Sequence, residues 1–311
     1  MNKKVLIAAP VHPVLMQGLH AAGYSCEVYE NITQELGMAL VADCVGIVTS
    51  TRLQIDKKMI GAAPDLQWIG RMGSGMEVID LDYALARSIA CYSSPEGNRN
   101  AVAEHALGML LALNKKLVKS CNEVKQGIWL RDENRGVELD GKTIGIIGFG
   151  NTGNAFARKL GGFDVKILAF DKYNTQFFSE HITKCDGIET IFEHADIVSF
   201  HVPLQEDTVH YFNNWFVDSM KKPFVLINTS RGRIVDTKAV FDGLMSSKIS
   251  GVCLDVWEEE PFDAMSETMK DYLHKISNMP QAIITPHIAG YSNEALYKMS
   301  RILLDRIVMP Q

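Results

Sequence analysis

Side chains that could bind a small acid and exchange a proton with it follow three successive apolar runs in the last third of the chain. Arg231 and His287 each follow such a run, and so does a carboxylate, from Asp255 or from one of Glu258–Glu260. An arginine can hold a carboxylate through two hydrogen bonds, and a histidine oriented by a carboxylate can transfer a proton near neutral pH. Such a set suits hydride transfer at a 2-hydroxy or 2-oxo acid. Taken alone, a histidine is usually structural, and a single arginine or glutamate is usually a solvated surface charge.

The stretch Lys142–Asp171 predicts the element that would bring a nucleotide to these residues. Thr143–Ile147 is a short β-branched run typical of a buried strand, and Gly148–Gly153 follows it with the pattern G-x-G-x-x-G. A helix and a second strand come next, and Asp171 stands at the end of that strand. In open parallel sheets, ligands bind beyond the carboxyl ends of the strands, where these side chains would lie.

Each part of this stretch has a chemical reason. Gly148 permits a tight turn, Gly150 lets the backbone approach a pyrophosphate, and Gly153 lets the helix pack closely on the strand. Asp171 would accept hydrogen bonds from the adenosine ribose and would repel the additional phosphate of NADP. The pattern predicts NAD as the cofactor. A structural strand–helix–strand unit without a ligand is the alternative.

The composition of the 311 residues restricts the class of protein. With 47% hydrophobic and 22% charged residues, the chain is typical of globular proteins, and its net charge of −6 argues against nucleic acid or an acidic membrane as partner. The six cysteines are scattered without a C-x-x-C pair, which favours reduced thiols, a cytoplasmic location and no metal site. No apolar run approaches the roughly 18 residues of a membrane span.

Short apolar strands alternate with helical segments along the whole chain, which predicts parallel sheets wrapped by helices. The first hundred residues would form the smaller of two α/β domains. The almost entirely apolar segment 100–116 predicts a buried helix, either in a domain core or between domains and against a second subunit. Residues 121–141 are predicted to be irregular, and 294–308 to form a closing helix.

Five segments carry a resemblance to a known family. They are GIIGFGNTGNAFA, HVPLQEDT at 201–208, INTSRGRIVD at 227–236, GVCLDVWEEEP at 251–261 and TPHIAGYS at 285–292. The sequence resembles the D-isomer-specific 2-hydroxyacid dehydrogenases over almost its whole length. The resemblance implies an enzyme with catalytic Arg231, Glu260 and His287, Glu260 being the glutamate before Pro261. It also implies that the cofactor is bound by Gly148, Gly150, Asn151, Thr152, Gly153, Asp171, His201, Val202, Pro203, Thr208, Thr229, Asp255 and Val102.

The same resemblance gives the first domain a role in substrate binding. RMGSGMEVID at 71–80 is similar to the family's substrate loop, in which N–H groups around Ser74 and Gly75 would hold the substrate carboxylate. It implies a smaller flavodoxin-like substrate domain made of residues 1–98 and 287–311. A Rossmann NAD-binding domain of residues 99–286 would be inserted into it. A homodimer is the expected assembly.

Within the family, the sequence is most similar to members that oxidise 3-phosphoglycerate to 3-phosphohydroxypyruvate in serine biosynthesis. The resemblance implies that Arg71 and Arg131, the latter reaching across a dimer, hold the substrate phosphate. Val48 stands where those members usually have an arginine, and Arg52 is the nearest substitute. Reduction of glyoxylate, hydroxypyruvate or another 2-oxo acid is the alternative. An NAD(H)-sensing protein similar to corepressors is the alternative of a different class.

Overall fold

A computed structural model describes residues 3–174 and 182–309. The chain divides into two compact units. The first consists of Met1–Arg99 with Tyr291–Gln311, and the second of Asn100–Gly290. Within the described ranges, no helix has both the length and the apolar character needed to cross a membrane.

The first unit is built on a five-stranded parallel sheet in the order β2-β1-β3-β4-β5. Side chains of β1 and β3 are buried on both faces of the sheet, which is why both strands are almost continuously apolar. The strands are β1 (Lys3–Ala8), β2 (Tyr24–Val28), β3 (Cys44–Thr49), β4 (Trp68–Arg71) and β5 (Ala90–Tyr92). The helices are α1 (Pro13–Ala21), α2 (Gln34–Leu40), α3 (Lys57–Ala62), α4 (Leu81–Ala86) and the closing α12 (Asn293–Val308).

The second unit is built on a seven-stranded parallel sheet in the order β12-β11-β10-β9-β6-β7-β8. Its strands are β6 (Thr143–Ile147), β7 (Lys166–Phe170), β8 (Ile182–Lys184), β9 (Ile197–Phe200), β10 (Phe224–Asn228), β11 (Ile249–Leu254) and β12 (Ala282–Ile284). Its helices are α6 (Leu117–Lys125), α7 (Asn151–Lys159), α8 (Glu189–His194), α9 (Asn214–Ser219), α10 (Thr237–Met245) and α11 (Glu267–Ser277). Helix α5 (Pro95–Asn114) contains the boundary between the units.

The order of the strands in the second sheet reverses between β6 and β9. Chain connections leave these neighbouring strands in opposite directions, so a crevice opens beyond their carboxyl ends. The glycine-rich turn follows β6, and His201 follows β9. The turns after β10, β11 and β12 lie along the same edge. The strand order therefore gathers the predicted chemical residues of this unit on one side of the sheet.

The prediction of parallel α/β sheets is confirmed, but one segment was predicted wrongly. Residues 121–141 do not all lack regular structure, because α6 extends to Lys125. Lys116 adopts a left-handed conformation with φ of 51°, which separates α6 from α5. No residue of α6 is buried in the chain, so the apolar side chains of this amphipathic helix face no core of their own chain.

Candidate active site

The glycine-rich turn after β6 has no room for side chains at two positions. Gly148 has φ of +89°, and a Cβ atom there would lie 2.5 Å from the carbonyl oxygen of His201. A Cβ atom at Gly153 would lie 2.1 Å from the carbonyl oxygen of Gly148. Helix α7 therefore starts directly against the sheet. Its N-cap is Gly150, which supplies no capping side chain, so backbone N–H groups define this helix end.

Asp171 closes the turn from the neighbouring strand. Its carboxylate accepts hydrogen bonds from the backbone N–H groups of Phe149 at 2.6 Å, Tyr173 at 2.9 Å and Asn174 at 2.7 Å. Lys172 points away to Asp207, 2.6 Å from its carboxylate. The side chain of Asp171 is thus fixed beside the glycine-rich turn, where its sequence position suggests an adenosine ribose.

His201 lies under the same turn as a buried neutral imidazole. Its Nε2 is 2.8 Å from the hydroxyl of Ser199, and its Nδ1 is 3.3 Å from the hydroxyl of Thr152. Burial lowers the pKa of His201 to about 3, because a charged ring would lose its hydration there. Val202 is half-buried and Pro203 exposed. The Thr208 hydroxyl closes the following loop by donating to the carbonyl of Pro203 at 2.8 Å.

The turn after β10 holds Arg231 through backbone and side-chain hydrogen bonds. The buried side chain of Asn228 accepts from the N–H of Ser230 and donates to the carbonyl of Arg231, both at 3.0 Å. The guanidinium of the half-buried Arg231 donates to the carbonyl of Ser230 at 2.7 Å. A Cβ atom at Gly232 would lie 1.6 Å from the carbonyl oxygen of Trp257, so only glycine lets this turn contact the turn after β11.

The three consecutive glutamates after β11 have three different partners. Glu258 accepts from the N–H of Thr237 at 2.6 Å and contacts His210 at 2.7 Å. Glu259 accepts from the N–H of Ser266 at 2.5 Å, just before α11. Glu260 alone of the three reaches His287. The first two therefore stabilise local structure.

Glu260 and His287 form a carboxylate–imidazole pair. The Oε2 atom of Glu260 lies 2.7 Å from Nδ1 of His287, and Oε1 accepts from the N–H of Trp257 at 2.8 Å. An ionised carboxylate only accepts, so Nδ1 donates, which leaves Nε2 of the neutral ring as a proton acceptor. The side chains are 41% and 32% exposed for His287 and Glu260, so small molecules can reach the ring.

The backbone of His287 has an unusual conformation, with φ of +55°. For a residue other than glycine, this left-handed region costs on the order of 1–3 kcal/mol and must be held by its surroundings. The carbonyl of Asp255 accepts the N–H of His287 at 2.7 Å. The buried carboxylate of Asp255 accepts the N–H groups of Ile288 at 2.9 Å and Ala289 at 2.8 Å. Asp255 thus holds the whole turn that presents the histidine.

Sequence reasoning missed Asn228, Thr285 and His105 as parts of this arrangement. Thr285 donates to Oδ1 of Asp255 at 2.5 Å, and His105 on α5 lies 3.0 Å from the Thr285 hydroxyl. Asn228 ends β10 and Thr285 directly follows β12. Both therefore lie at the carboxyl edge of the sheet, where functional residues are expected, and this position could have identified them. No comparable signal marks His105 within its apolar helix.

Two further residues predicted to line the cofactor lie in the second unit. The hydroxyl of Thr229 is buried, and no partner for it exists among residues 3–174 and 182–309. A buried polar atom without a partner is costly unless a ligand satisfies it. Val102 on α5 is buried, with 5% exposure. With the glycine cradle and Asp171, these residues fit a dinucleotide.

The predicted substrate loop lies in the first unit, after β4. Arg71 is 8% exposed, its guanidinium donates to the carbonyl of Met72, and a Cβ atom at Gly73 would collide with it. The arginine therefore lies inside the loop. Across the described part of the chain, no hydrogen bond occupies the N–H of Ser74 or Gly75. Ser74 is exposed and Gly75 half-exposed.

Two further arginines differ in how their side chains are held. Arg52 donates to the carbonyl of Glu30 and, at 3.0 Å, to Oδ1 of Asn31. Its side chain is thus used in bonds to the loop after β2. Arg131 is exposed in the segment after α6, next to Trp129, which is 77% exposed.

The fold and the motif-bearing turns now define the class of protein. Residues 107–289 match the model of the NAD-binding domain of the D-isomer specific 2-hydroxyacid dehydrogenases, and the chain belongs to this family of NAD-dependent enzymes. The resemblance seen in the sequence is thereby confirmed, as is NAD as the cofactor.

Similar proteins carry several names. The chain is 31% identical over 306 residues to a D-3-phosphoglycerate dehydrogenase of Archaeoglobus fulgidus, covering 98% of this chain but only 56% of that enzyme. It is 34% identical over 262 residues to a glyoxylate reductase of Thermofilum pendens, covering 82% of this chain and 75% of that protein. The fold also matches a crystal structure of D-lactate dehydrogenase from Aquifex aeolicus, with a TM-score of 0.83, 24% identity and coverage of 98% and 94%.

Proposed function

We propose that this protein interconverts a short D-2-hydroxy acid and the corresponding 2-oxo acid with NAD as the redox partner. The observation that carries the proposal is the contact of 2.7 Å between Glu260 and Nδ1 of His287 at the carboxyl edge of the sheet. NAD, which the glycine-rich turn and Asp171 would hold, would supply the hydride acceptor for oxidation at C2 of the hydroxy acid, and NADH the hydride donor for reduction of the 2-oxo acid. The protein supplies orientation and the proton.

His287 is the proposed acid–base group. In oxidation, Nε2 takes the proton of the substrate hydroxyl, and in reduction it returns a proton to the forming hydroxyl oxygen. Glu260 keeps the Nδ1 proton in place and stabilises the imidazolium that forms. Because Asp255 fixes the backbone on both sides of His287, the ring needs little rearrangement before the proton moves.

The substrate carboxylate is the group that the remaining residues would recognise. Arg231 offers a guanidinium fork, which suits a planar carboxylate and can polarise the adjoining oxygen. In the first unit, the N–H groups of Ser74 and Gly75, which no residue in the described ranges occupies, are suited to binding a carboxylate. These assignments, and those of the cofactor residues, are parts of the proposal.

An acid without a phosphate, such as glyoxylate or hydroxypyruvate, is the substrate that the arginine positions favour. A phosphate requires accessible cationic donors. Arg71, the first expected donor, is buried and donates to the carbonyl of Met72. Arg52, the nearest substitute for the arginine expected at Val48, donates to the carbonyl of Glu30 and to Oδ1 of Asn31. The guanidinium of Arg71 is therefore buried within its own loop, and that of Arg52 is hydrogen-bonded at the surface.

Oxidation of 3-phosphoglycerate is the second candidate. It is supported by the exposed Arg131 and by the 31% identity to an enzyme named for that substrate, of which the chain spans 56%. If this candidate is right, Arg71 must leave the Met72 carbonyl when substrate binds. A role in serine biosynthesis is proposed only with this second candidate.

Turnover measurements separate the possibilities. Consumption of NADH is followed with glyoxylate, hydroxypyruvate and 3-phosphohydroxypyruvate, and kcat/KM is compared. We expect the highest value with an unphosphorylated acid and no rise in its KM when Arg131 is replaced by alanine. A kcat/KM highest for the phosphorylated acid, with KM raised for it alone in Arg131→Ala, supports the second candidate. No turnover of any 2-oxo acid supports the NAD(H)-sensing alternative and refutes the proposed reaction.

A homodimer is the proposed assembly, and a second copy of this chain is the partner proposed for an apolar surface around α6. None of the residues of α6 is buried. The helix and the segment after it expose seven large apolar side chains, which monomers seldom present together. They are Leu117, Val118, Val124, Ile128, Trp129, Leu130 and Val137. A cytoplasmic location stays a prediction from the cysteine pattern.

A further inference from the structure

A second histidine lies behind the turn that carries His287. His105 is on α5, in the same unit, and its side chain is 23% exposed. Its Nε2 atom lies 3.0 Å from the hydroxyl oxygen of Thr285 and 3.6 Å from Oδ1 of Asp255. The proposed reaction assigns it no role.

The distances define the direction of each hydrogen bond. Thr285 has a single hydroxyl proton and lies 2.5 Å from Oδ1 of Asp255, a carboxylate that can only accept while ionised. The hydroxyl proton therefore goes to Asp255. The contact of 3.0 Å then requires the Thr285 oxygen to accept from Nε2–H of His105. The three side chains form a directed chain from His105 through Thr285 to Asp255.

This chain ends on the backbone of the catalytic turn. Asp255 accepts the N–H groups of Ile288 and Ala289 with its carboxylate and that of His287 with its carbonyl oxygen. These bonds hold His287 at φ of +55°. Glu260 orients the ring of the same residue through Nδ1. The ring and the backbone of His287 thus have separate supports.

We propose that His105 is a positioning residue for His287, acting through Thr285 and the buried carboxylate of Asp255. Loss of Nε2–H leaves the Thr285 hydroxyl free to rotate away from Asp255 and removes the N–H dipole that faces the buried carboxylate. The turn 285–289 then loses its fixed conformation, and Nε2 of His287 is less often in line with the substrate oxygen. The inference rests on the proposed acid–base role of His287.

Replacement by the two amides is the sharpest test. The amide nitrogen of glutamine can take the place of Nε2. The asparagine side chain is one carbon shorter, so its amide nitrogen does not reach Thr285. We expect His105→Asn to lower kcat roughly 10- to 100-fold, and His105→Gln to retain most of the activity. The Kd of NADH and the melting temperature should be alike in the two variants. Glu104→Gln, on the same helix but paired with Lys159, is the matched control and should behave like the wild type.

Thr285→Val provides a second test that does not alter the helix. If His105 acts through the hydroxyl, the double variant His105→Asn/Thr285→Val should be no slower than the slower single variant. Fold-changes that multiply in the double variant, or a kcat of His105→Asn within about twofold of the wild type, would overturn the inference. Equal losses in the Gln and Asn variants would do the same.

A measurement without turnover separates this inference from the proposed reaction. Hydrogen exchange of the Ile288 and Ala289 amides reports the bonds to Asp255 directly. We expect faster exchange in His105→Asn and wild-type protection in His105→Gln. If the wild type turns over no 2-oxo acid, the proposed function fails, and the exchange rates still test the positioning role. Unchanged protection in His105→Asn refutes it.

Discussion

The Oε2 atom of Glu260 lies 2.7 Å from Nδ1 of His287, and the neighbouring Glu259 is used instead to hold Ser266 before α11. Two adjacent carboxylates thus have different tasks, which allows a matched comparison. His287→Asn should lower kcat by roughly 10²- to 10⁴-fold, because the group that exchanges the proton at Nε2 is lost. Glu260→Gln should lower kcat less, because the ring remains but its orientation and charge partner are weakened.

Glu259→Gln is the control for this prediction, and kcat with a 2-oxo acid and NADH is the measurement. Its effect on kcat should be small, although the melting temperature can fall with the loss of the bond to Ser266. Equal losses of kcat in Glu259→Gln and Glu260→Gln would contradict the assignment of Glu260.

Asp171 should make the protein prefer NADH to NADPH. Its carboxylate is fixed by three backbone N–H groups, and the nearby Lys172 is paired with Asp207. Asp171→Asn keeps an acceptor oxygen but removes the charge, so the ratio of kcat/KM for NADH over NADPH should fall by roughly tenfold or more. Asp65→Asn, which removes an exposed carboxylate of the first unit, is the control and should leave the ratio high. An unchanged ratio in Asp171→Asn would show that another feature excludes NADPH.

His201 should make the stability of the protein depend on pH. Burial lowers its pKa from the ordinary value of 6.5 to about 3. The unfolded chain therefore binds more protons between these values, and the contribution of His201 is present above pH 6.5 and is lost as the pH falls through this window. In His201→Gln, the dependence of the free energy of unfolding on pH should be shallower there, by at most about 1.4 kcal/mol per pH unit.

Denaturant unfolding of wild type and His201→Gln across this pH range is the measurement. The difference between the two proteins at pH values well above 6.5 reports packing and hydrogen bonding without a charge difference, since both side chains are then neutral. Parallel pH profiles for the two proteins would contradict a neutral buried His201.

Gly232 should be irreplaceable although its backbone conformation is not left-handed. A Cβ atom there would meet the Trp257 carbonyl at 1.6 Å, a backbone atom that cannot move without moving the turn that ends at Glu260. Gly232→Ala should lower stability by about 1–3 kcal/mol and reduce kcat/KM for the 2-oxo acid. Gly161→Ala is the matched control, because nothing lies within 4 Å of its Cβ position. Wild-type kcat/KM in Gly232→Ala would show that the two turns are not coupled.

A charge within the apolar surface around α6 should separate the proposed dimer. Trp129, 77% exposed, and Leu117, 56% exposed, are suitable positions. Trp129→Glu should shift the mass measured by light scattering from that of a dimer to that of a monomer, because a buried unpaired charge is costly in an interface. Leu85→Glu, at a side chain that is 78% exposed elsewhere, should not change the mass. A monomeric wild type would refute the proposed dimer.

Much of the second unit was determined by sequence patterns with local causes. The strand–turn–helix of 143–159 follows from a β-branched run, glycines at fixed positions and a helical segment, and each of these acts over a few residues. The rule that parallel strands present their carboxyl ends on one edge then predicted that Arg231, the glutamates and His287 would gather there. Helix α6 was missed, and the structure shows that none of its residues is buried in the chain.

Only the tertiary structure decided which partner each side chain takes. The sequence places three glutamates before Pro261, and the path of the turn after β11 directs one to Thr237, one to Ser266 and one to His287. Likewise, arginine is a residue type that commonly binds phosphate, yet the loop after β4 closes around the guanidinium of Arg71. Hydrogen-bond partners depend on distances of a few tenths of an ångström between segments far apart in the chain. Residue types and spacing define the chemistry available, and packing defines which atoms can use it.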